Sequence, residues 1–180
     1  MPIKPETKHI LAASLEALME KKRFEDISVQ DIINHCGASR TTLYRHFKDK
    51  YELMNWIYKN RVDQFIEMNT DIASWRDMLL QITKFIKEKQ RYFTEIVDFS
   101  GQNSFVEFLL DYGQNYCTKE LRKELGDDIP EEVLFSVKQY CAGTTYLTYD
   151  WIRHGLDRSP EHITKLMCEN MPNPISKYFR

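Results

Sequence analysis

SVQDIINHCGASRTTLYRHFKDK, residues 28–50, reads as two short helices joined by a tight turn. Val29, Ile32, Ile33 and Cys36 recur at i, i+3, i+4 and i+7, which gives the first helix one apolar face. Ser28 is placed to cap its start, with Asp31 three residues on in a near capping box. Gly37 follows the last periodic residue, where a glycine most easily takes the left-handed conformation that ends a helix. Ser39 then caps a second helix, in which Leu43 and Phe47, four apart, point inward. Arg40, Thr41, Tyr44 and Arg45 are left facing away from the core. A buried first helix, a glycine turn and a polar, cationic second helix make a helix-turn-helix, whose second helix enters a DNA major groove.

The run Gly37-Ala38-Ser39-Arg40-Thr41-Thr42-Leu43-Tyr44-Arg45-His46-Phe47-Lys48-Asp49-Lys50 also resembles a known signature. It is the recognition-helix pattern of TetR/AcrR-type transcriptional regulators, roughly G-V-S-x-x-T-L-Y-x-H-F-x-x-K-x-x-L, with Leu53 as the final leucine. The likeness continues upstream through Ser28, Val29 and Ile32 to the apolar first helix around Leu11, Leu15 and Leu18. Ala38 stands where valine is usual, and Ile33 and Cys36 where small alanines are usual. Those swaps keep the buried face apolar and touch packing, not DNA contact.

With the resemblance, Arg40 and Thr41 read as base or adjacent-backbone contacts; without it they are two solvated residues on a surface helix. Arginine is the most frequent reader of guanine O6 and N7 in the major groove. Gln30, on the outward face of the first motif helix, matches a family position that touches a base. Thr42, Tyr44, His46 and Lys50 suit phosphate oxygens, contacts that position a protein without reading sequence. His46 has a second reading as a structural histidine beside Phe47. Lys50, in the first turn of the following helix, is expected to clasp one phosphate together with that helix's N-terminus. Ser28, Ser39 and Arg45 complete the expected DNA-binding set.

The remaining composition frames this motif. Hydrophobic content of 42% and aromatic content of 13% in 180 residues suffice for a packed core, and the net charge of −2 excludes a generic polyanion binder. Residues 1–50 hold nine Lys and Arg against seven Asp and Glu, and residues 51–180 hold sixteen against twenty. Four cations and one acid fall between Arg40 and Lys50, so positive charge gathers on the proposed DNA face. Cys36, Cys117, Cys141 and Cys168 are far apart, with no C-x-x-C pair and no histidine at zinc spacing, and read as reduced core residues. No metal or cofactor is expected. Lys4, Glu6 and Lys8 interrupt the start before any apolar run, and no stretch of about eighteen apolar residues is present to span a bilayer. A cytoplasmic protein with no membrane partner is expected. No Gly-x-Ser-x-Gly elbow, phosphate loop or metal-ligand helix motif supports an enzyme.

Nearly every segment reads helical, predicting an all-α chain of about nine helices. The first runs from about Glu6 to Lys21, with Ile10, Leu11, Leu15, Leu18 and Met19 inward and Phe24 and Ile27 closing over it. A fourth starts near Asp49 and runs toward Asn69, with Met54, Ile57, Val62 and Phe65 inward. Helices follow from Ser74, over Tyr92–Phe99 to a stop at Ser100-Gly101, from the capping box at Ser104, from Pro130 to about Gly155, and from Ser159. The tail after Pro172 reads as irregular. A helix-turn-helix domain over residues 5–65 and a larger helical domain over 66–180 are expected.

In that larger domain Phe85, Phe105, Phe108, Tyr112, Tyr116, Tyr140 and Tyr149 are either ordinary core or walls of a cavity. The resemblance implies an effector pocket lined by the middle helices, and Phe85, Phe108, Tyr112, Tyr116, Gln139 and Tyr140 are its candidates. Val133, Val137, Tyr140, Thr144, Leu147 and Trp151 alternate spacings of four and three, a coiled-coil-like seam. Gly143, a costly residue in mid-helix, suggests close approach of another helix. That seam packs either within the chain or against a second copy; the resemblance implies pairing of the last two long helices, adding Ile163, Leu166 and Met167 to the dimer interface. The expected protein is therefore a homodimeric, small-molecule-responsive regulator of a near-palindromic operator, with repression as the default. The alternatives are an activator, or a non-DNA-binding co-regulator, of a small-molecule metabolism operon.

Overall fold

Ser28, Ser39, Ser74, Ser104 and Ser159 each accept a hydrogen bond from the backbone N–H three residues on, so serine caps fix the starts of five helices. The computed structural model describes residues 5–68, 74–98 and 104–179, and its regular elements are all helical. They are α1 (Pro5–Met19), a 3-10 turn (Phe24–Asp26), α2 (Val29–Cys36), α3 (Arg40–His46), α4 (Lys50–Met68) and α5 (Trp75–Glu88). Then come α6 (Gln90–Ile96), α7 (Phe105–Leu125), α8 (Glu131–Arg153), α9 (Pro160–Glu169) and α10 (Asn173–Ser176). The expected stop at Ser100-Gly101, the end of the fourth helix at Asn69 and the Phe65 side chain lie outside the described residues.

The tenth helix is a departure from sequence, which assigned the tail no structure. Pro172 and Pro174 preset the backbone angle of a first helical turn, and Ile175 anchors that turn by being fully buried. Ile10 departs too: it is 48% exposed, because the inward face of α1 is centred on Leu11, Ser14 and Leu15. Ser14 fits that apolar face by donating its hydroxyl to the Ile32 carbonyl at 2.8 Å.

One apolar cluster joins the motif helices to the rest, running from Leu11 and Leu43 through Tyr58 and Phe93 to Trp151 and Met167. A second is built on α7, α8 and the tail, around Cys117, Val137, Tyr140, Ile175 and Phe179. The stripe expected to hold a dimer is largely spent here. Val133, Val137, Tyr140, Trp151, Ile163 and Met167 are all buried within the single chain, and Thr144 and Leu166 are half-buried. The physical reason is that α8 is apolar on two faces, and the regular seam is the one turned toward α7 and α10. Leu147 and Gly143 remain exposed. Among the described residues no atom beyond its own stretch of helix lies within 4 Å of where a Gly143 side chain would begin, so none of them makes the close approach.

Candidate nucleic-acid interface and adjoining cavity

The turn between α2 and α3 has the geometry its residues dictate. Ser28 and Asp31 complete a reciprocal capping box, and the Ser28 hydrogen bonds, with Lys22 at 3.0 Å, hold the Asp31 carboxyl well below the usual carboxylate range. Gly37 closes α2 with φ of 71°, open to glycine and strained for other residues. Leu43 and Phe47 are buried, while Thr41, Tyr44 and Arg45 on α3 and Gln30 on α2 are exposed. The Arg40 guanidinium lies 5.6 Å from the Tyr44 ring centre and 3.5 Å from its hydroxyl, so the two side chains form one outward unit. Gln30 donates to Asn34 at 2.8 Å along the same outer face.

Four of the expected contact residues have other occupations. The Ser28 hydroxyl donates to Asp31 at 2.6 Å, so its hydrogen is already used. Ser39 and Thr42 share one hydrogen bond of 2.7 Å between their hydroxyls, which leaves one hydrogen of the pair for a phosphate. Lys50 is the most fully engaged. Its ammonium donates to the carbonyls of Phe24 at 2.7 Å, Glu25 at 3.0 Å and Ile27 at 2.7 Å, and lies 4.7 Å from the Phe24 ring centre. An ammonium has three donors, and all three are engaged. Burial lowers the Lys50 pKa, opposed by Asp26, Glu25 and Asp31. Lys50 ties the start of α4 to the loop before α2. His46 is partly exposed at the end of α3, 6.2 Å from the Phe47 ring, and its pKa is lowered by partial burial and then by Lys8 and Arg45.

Helix α6 grips the same loop from the other side. Glu95 accepts from the Phe24 backbone N–H at 2.8 Å, and Arg91 donates to the Glu20 carbonyl at 2.6 Å. Both bonds go to backbone atoms, which is why sequence gave no sign of them.

Behind this contact, α5, α7 and α8 enclose a cavity of about 80 Å³. Roughly 10–15 Å³ admits one water on this scale, so there is space for a small organic molecule. Tyr112, Tyr116 and Tyr140 line it, together with Tyr58, Trp75, Met78, Thr83, Thr144, Thr145 and Thr148. Three other expected residues do not. Phe85 lies in a separate groove with Arg61 and Val62, Phe108 stacks behind Tyr112 at 5.7 Å, and Gln139 is exposed on the outer face of α8. Thr144 and Thr148, four apart on one helix, are the signal that was available: paired hydroxyls on an inward face.

Tyr112 donates to Asp63 at 2.9 Å, Trp75 donates to the Tyr140 hydroxyl at 3.2 Å, and Tyr140 donates to the Met167 carbonyl at 3.2 Å. Burial raises all four tyrosine pKa values, that of Tyr116 to about 12. All four cysteines are free. Among the described residues there is no metal-holding cluster of His, Cys, Asp and Glu, and no helix is long and apolar enough to cross a membrane.

Residues 10–56 match the model of bacterial regulatory proteins of the tetR family, and residues 73–173 match that of the TetR-type transcriptional regulator C-terminal region. The chain is 30% identical over 113 residues to DhaS, the HTH-type dhaKLM operon transcriptional activator of Lactococcus lactis subsp. lactis strain IL1403. That match covers 63% of this chain and 59% of the lactococcal protein. A solved structure of a dihydroxyacetone kinase operon activator DhaS has a TM-score of 0.68 at 24% identity, covering 97% of this chain and 98% of that one. A TetR transcriptional regulator from Streptococcus agalactiae 2603V gives a TM-score of 0.57 at 17% identity, covering 97% of this chain and 94% of that one. Both structures share this all-helical fold. With one model on the motif and a second over more than half of its length, the chain belongs to the TetR family of bacterial transcriptional regulators.

Proposed function

We propose that this regulator binds a near-palindromic operator as a homodimer and releases or engages it in response to a small molecule held between α5, α7 and α8. The observation that carries the reading is the outward Arg40–Tyr44 pair on α3, with Thr41 and Gln30 beside it and a buried apolar face beneath. Residues 5–65 then read DNA and residues 66–180 sense and dimerise. The physical route between them is α6, which follows cavity-lining α5 and bonds through Glu95 and Arg91 to the loop before α2. A ligand that favours one placement of α6 favours one spacing of the two recognition helices. Ligand and operator then shift each other's affinity by the same factor.

The direction of control follows promoter geometry and not the fold. A bound dimer that covers a promoter represses, while the lactococcal relative is named an activator. Control of a small-molecule metabolism operon is the reading its name supports. Deleting the gene raises target expression under repression and lowers it under activation.

Quantitative binding to the DNA flanking its own coding region tests the central claim. Arg40→Ala is expected to cost about 1–3 kcal/mol at the operator and to relax preference at one base position. An unchanged preference across a base-substitution panel removes Arg40 as a reader. Absence of DNA binding by the wild type at low salt favours the non-DNA-binding co-regulator.

A further inference from the structure

The chemistry of the cavity wall narrows what it accepts. No Lys, Arg, His, Asp or Glu is among the described residues lining it, and the raised pKa values keep its phenols neutral. The carboxylate next behind the wall, Asp63, already accepts from Tyr112 and pairs with Lys59. A charged ligand would lose its water there and find no opposite charge.

The hydroxyls add a direction. Thr144 donates to the Tyr140 carbonyl at 2.9 Å, Thr148 to the Thr144 carbonyl at 2.8 Å, and Tyr140 to the Met167 carbonyl at 3.2 Å. Each has one hydrogen and has given it to the protein, so lone pairs are what each still offers. The Thr83 and Tyr112 hydroxyls have likewise given their hydrogens, to Leu80 and Asp63. The rest of the wall is aliphatic and aromatic apart from the Tyr58, Tyr116 and Thr145 hydroxyls and the Cys141 thiol.

We propose that this cavity takes a small uncharged ligand, an apolar body about the size of one ring, that donates a hydrogen bond to the hydroxyl oxygens of Thr144 and Thr148. The proposal rests on the effector-switch reading above and specifies its ligand. Sugars and organic acids are the wrong class for this wall; alcohols, phenols and other neutral donors are the right one.

Titration calorimetry on the full chain with four probes of one shape tests it: phenol, anisole, benzoate and benzylammonium. Phenol is expected to bind about fivefold more tightly than anisole, the worth of one net hydrogen bond, and the two ions not at all. In the isosteric double variant Thr144→Val, Thr148→Val, phenol and anisole are expected to bind alike; Thr148→Val alone, with a reduced preference, serves if the double variant does not fold. Equal binding of phenol and anisole by the wild type overturns the proposal. So does an ion binding as tightly as phenol, or a preference for phenol that survives the valine variants. If none of the four binds, the cavity is not a site for small ligands and the effector-switch reading falls with it, leaving the DNA-binding assignment standing.

Discussion

Lys50 ties two structural elements together with one side chain. Its ammonium lies over the Phe24 ring and donates to three carbonyls of the loop before α2, of which that of Phe24 also accepts the Ile27 N–H. Lys50→Met keeps the apolar stem and removes the donors. It is expected to destabilise the fold by about 2 kcal/mol, read by denaturant unfolding. The salt dependence of DNA binding should not change, whereas Arg45→Ala should flatten its slope by about one unit. A flattened slope in Lys50→Met would return Lys50 to the phosphate. His46 couples DNA binding to pH. Partial burial, Lys8 and Arg45 hold its pKa below the ordinary value in the free protein, so at neutral pH it carries no charge. A phosphate beside it reverses the charge term and raises the pKa, so DNA binding takes up a proton. Operator affinity is then expected to rise as pH falls through roughly 7 to 6, and His46→Asn to remove that rise. A wild-type affinity flat with pH places His46 with Phe47 as a structural residue.

At the scale of elements, the helix starts were legible because the cap, the turn and the periodic face each lie within a few residues of sequence. Ser28, Gly37 and Ser39 state where α2 and α3 begin and end before any tertiary contact is known. The Lys50 cage and the Glu95 and Arg91 bonds were not legible, since their partners are backbone atoms 23 to 71 residues away and carry no side-chain signature. The cavity is half legible: the sequence places tyrosines on α7 and α8, but which side of a ring-rich helix faces a void depends on helix packing. Gly113 on α7 shows what that void costs. A methyl there would meet the Cys141 sulfur at 3.6 Å, ordinary contact, in a helix interior where alanine is better than glycine by about 1 kcal/mol. Gly113→Ala is therefore expected to raise stability by up to about 1 kcal/mol while reducing the affinity of any ligand held in the cavity it borders. A melting temperature that falls would mean that the space at Gly113 is needed by the fold itself.

For the whole molecule, the face of α8 that the described residues leave uncovered matters most. Most of the seam read from sequence is filled by the same chain, yet its Leu147, with Phe135, Ala142, Gly143 and Tyr146 beside it, stays exposed, Phe135 at 67% and Tyr146 at 63%. Large rings left out of a core in this number, beside an open glycine, mark an interaction surface more readily than chance exposure does. A two-fold axis across α8 would bury both rings against their copies, let the helices approach at Gly143, and present two α3 helices to successive turns of DNA. Sedimentation at micromolar concentration is expected to show a dimer. Tyr146→Asp, at a site already exposed in the single chain, is expected to give a monomer with little change in fold, and with it a loss of operator affinity far greater than any loss of single-site DNA contact. Val137→Asp is the contrasting variant: Val137 is buried in the chain, so the charge should unfold the protein and not merely separate the protomers. If Tyr146→Asp remains a dimer with full operator affinity, the exposed stripe is not the interface, and the rings of α8 await another partner.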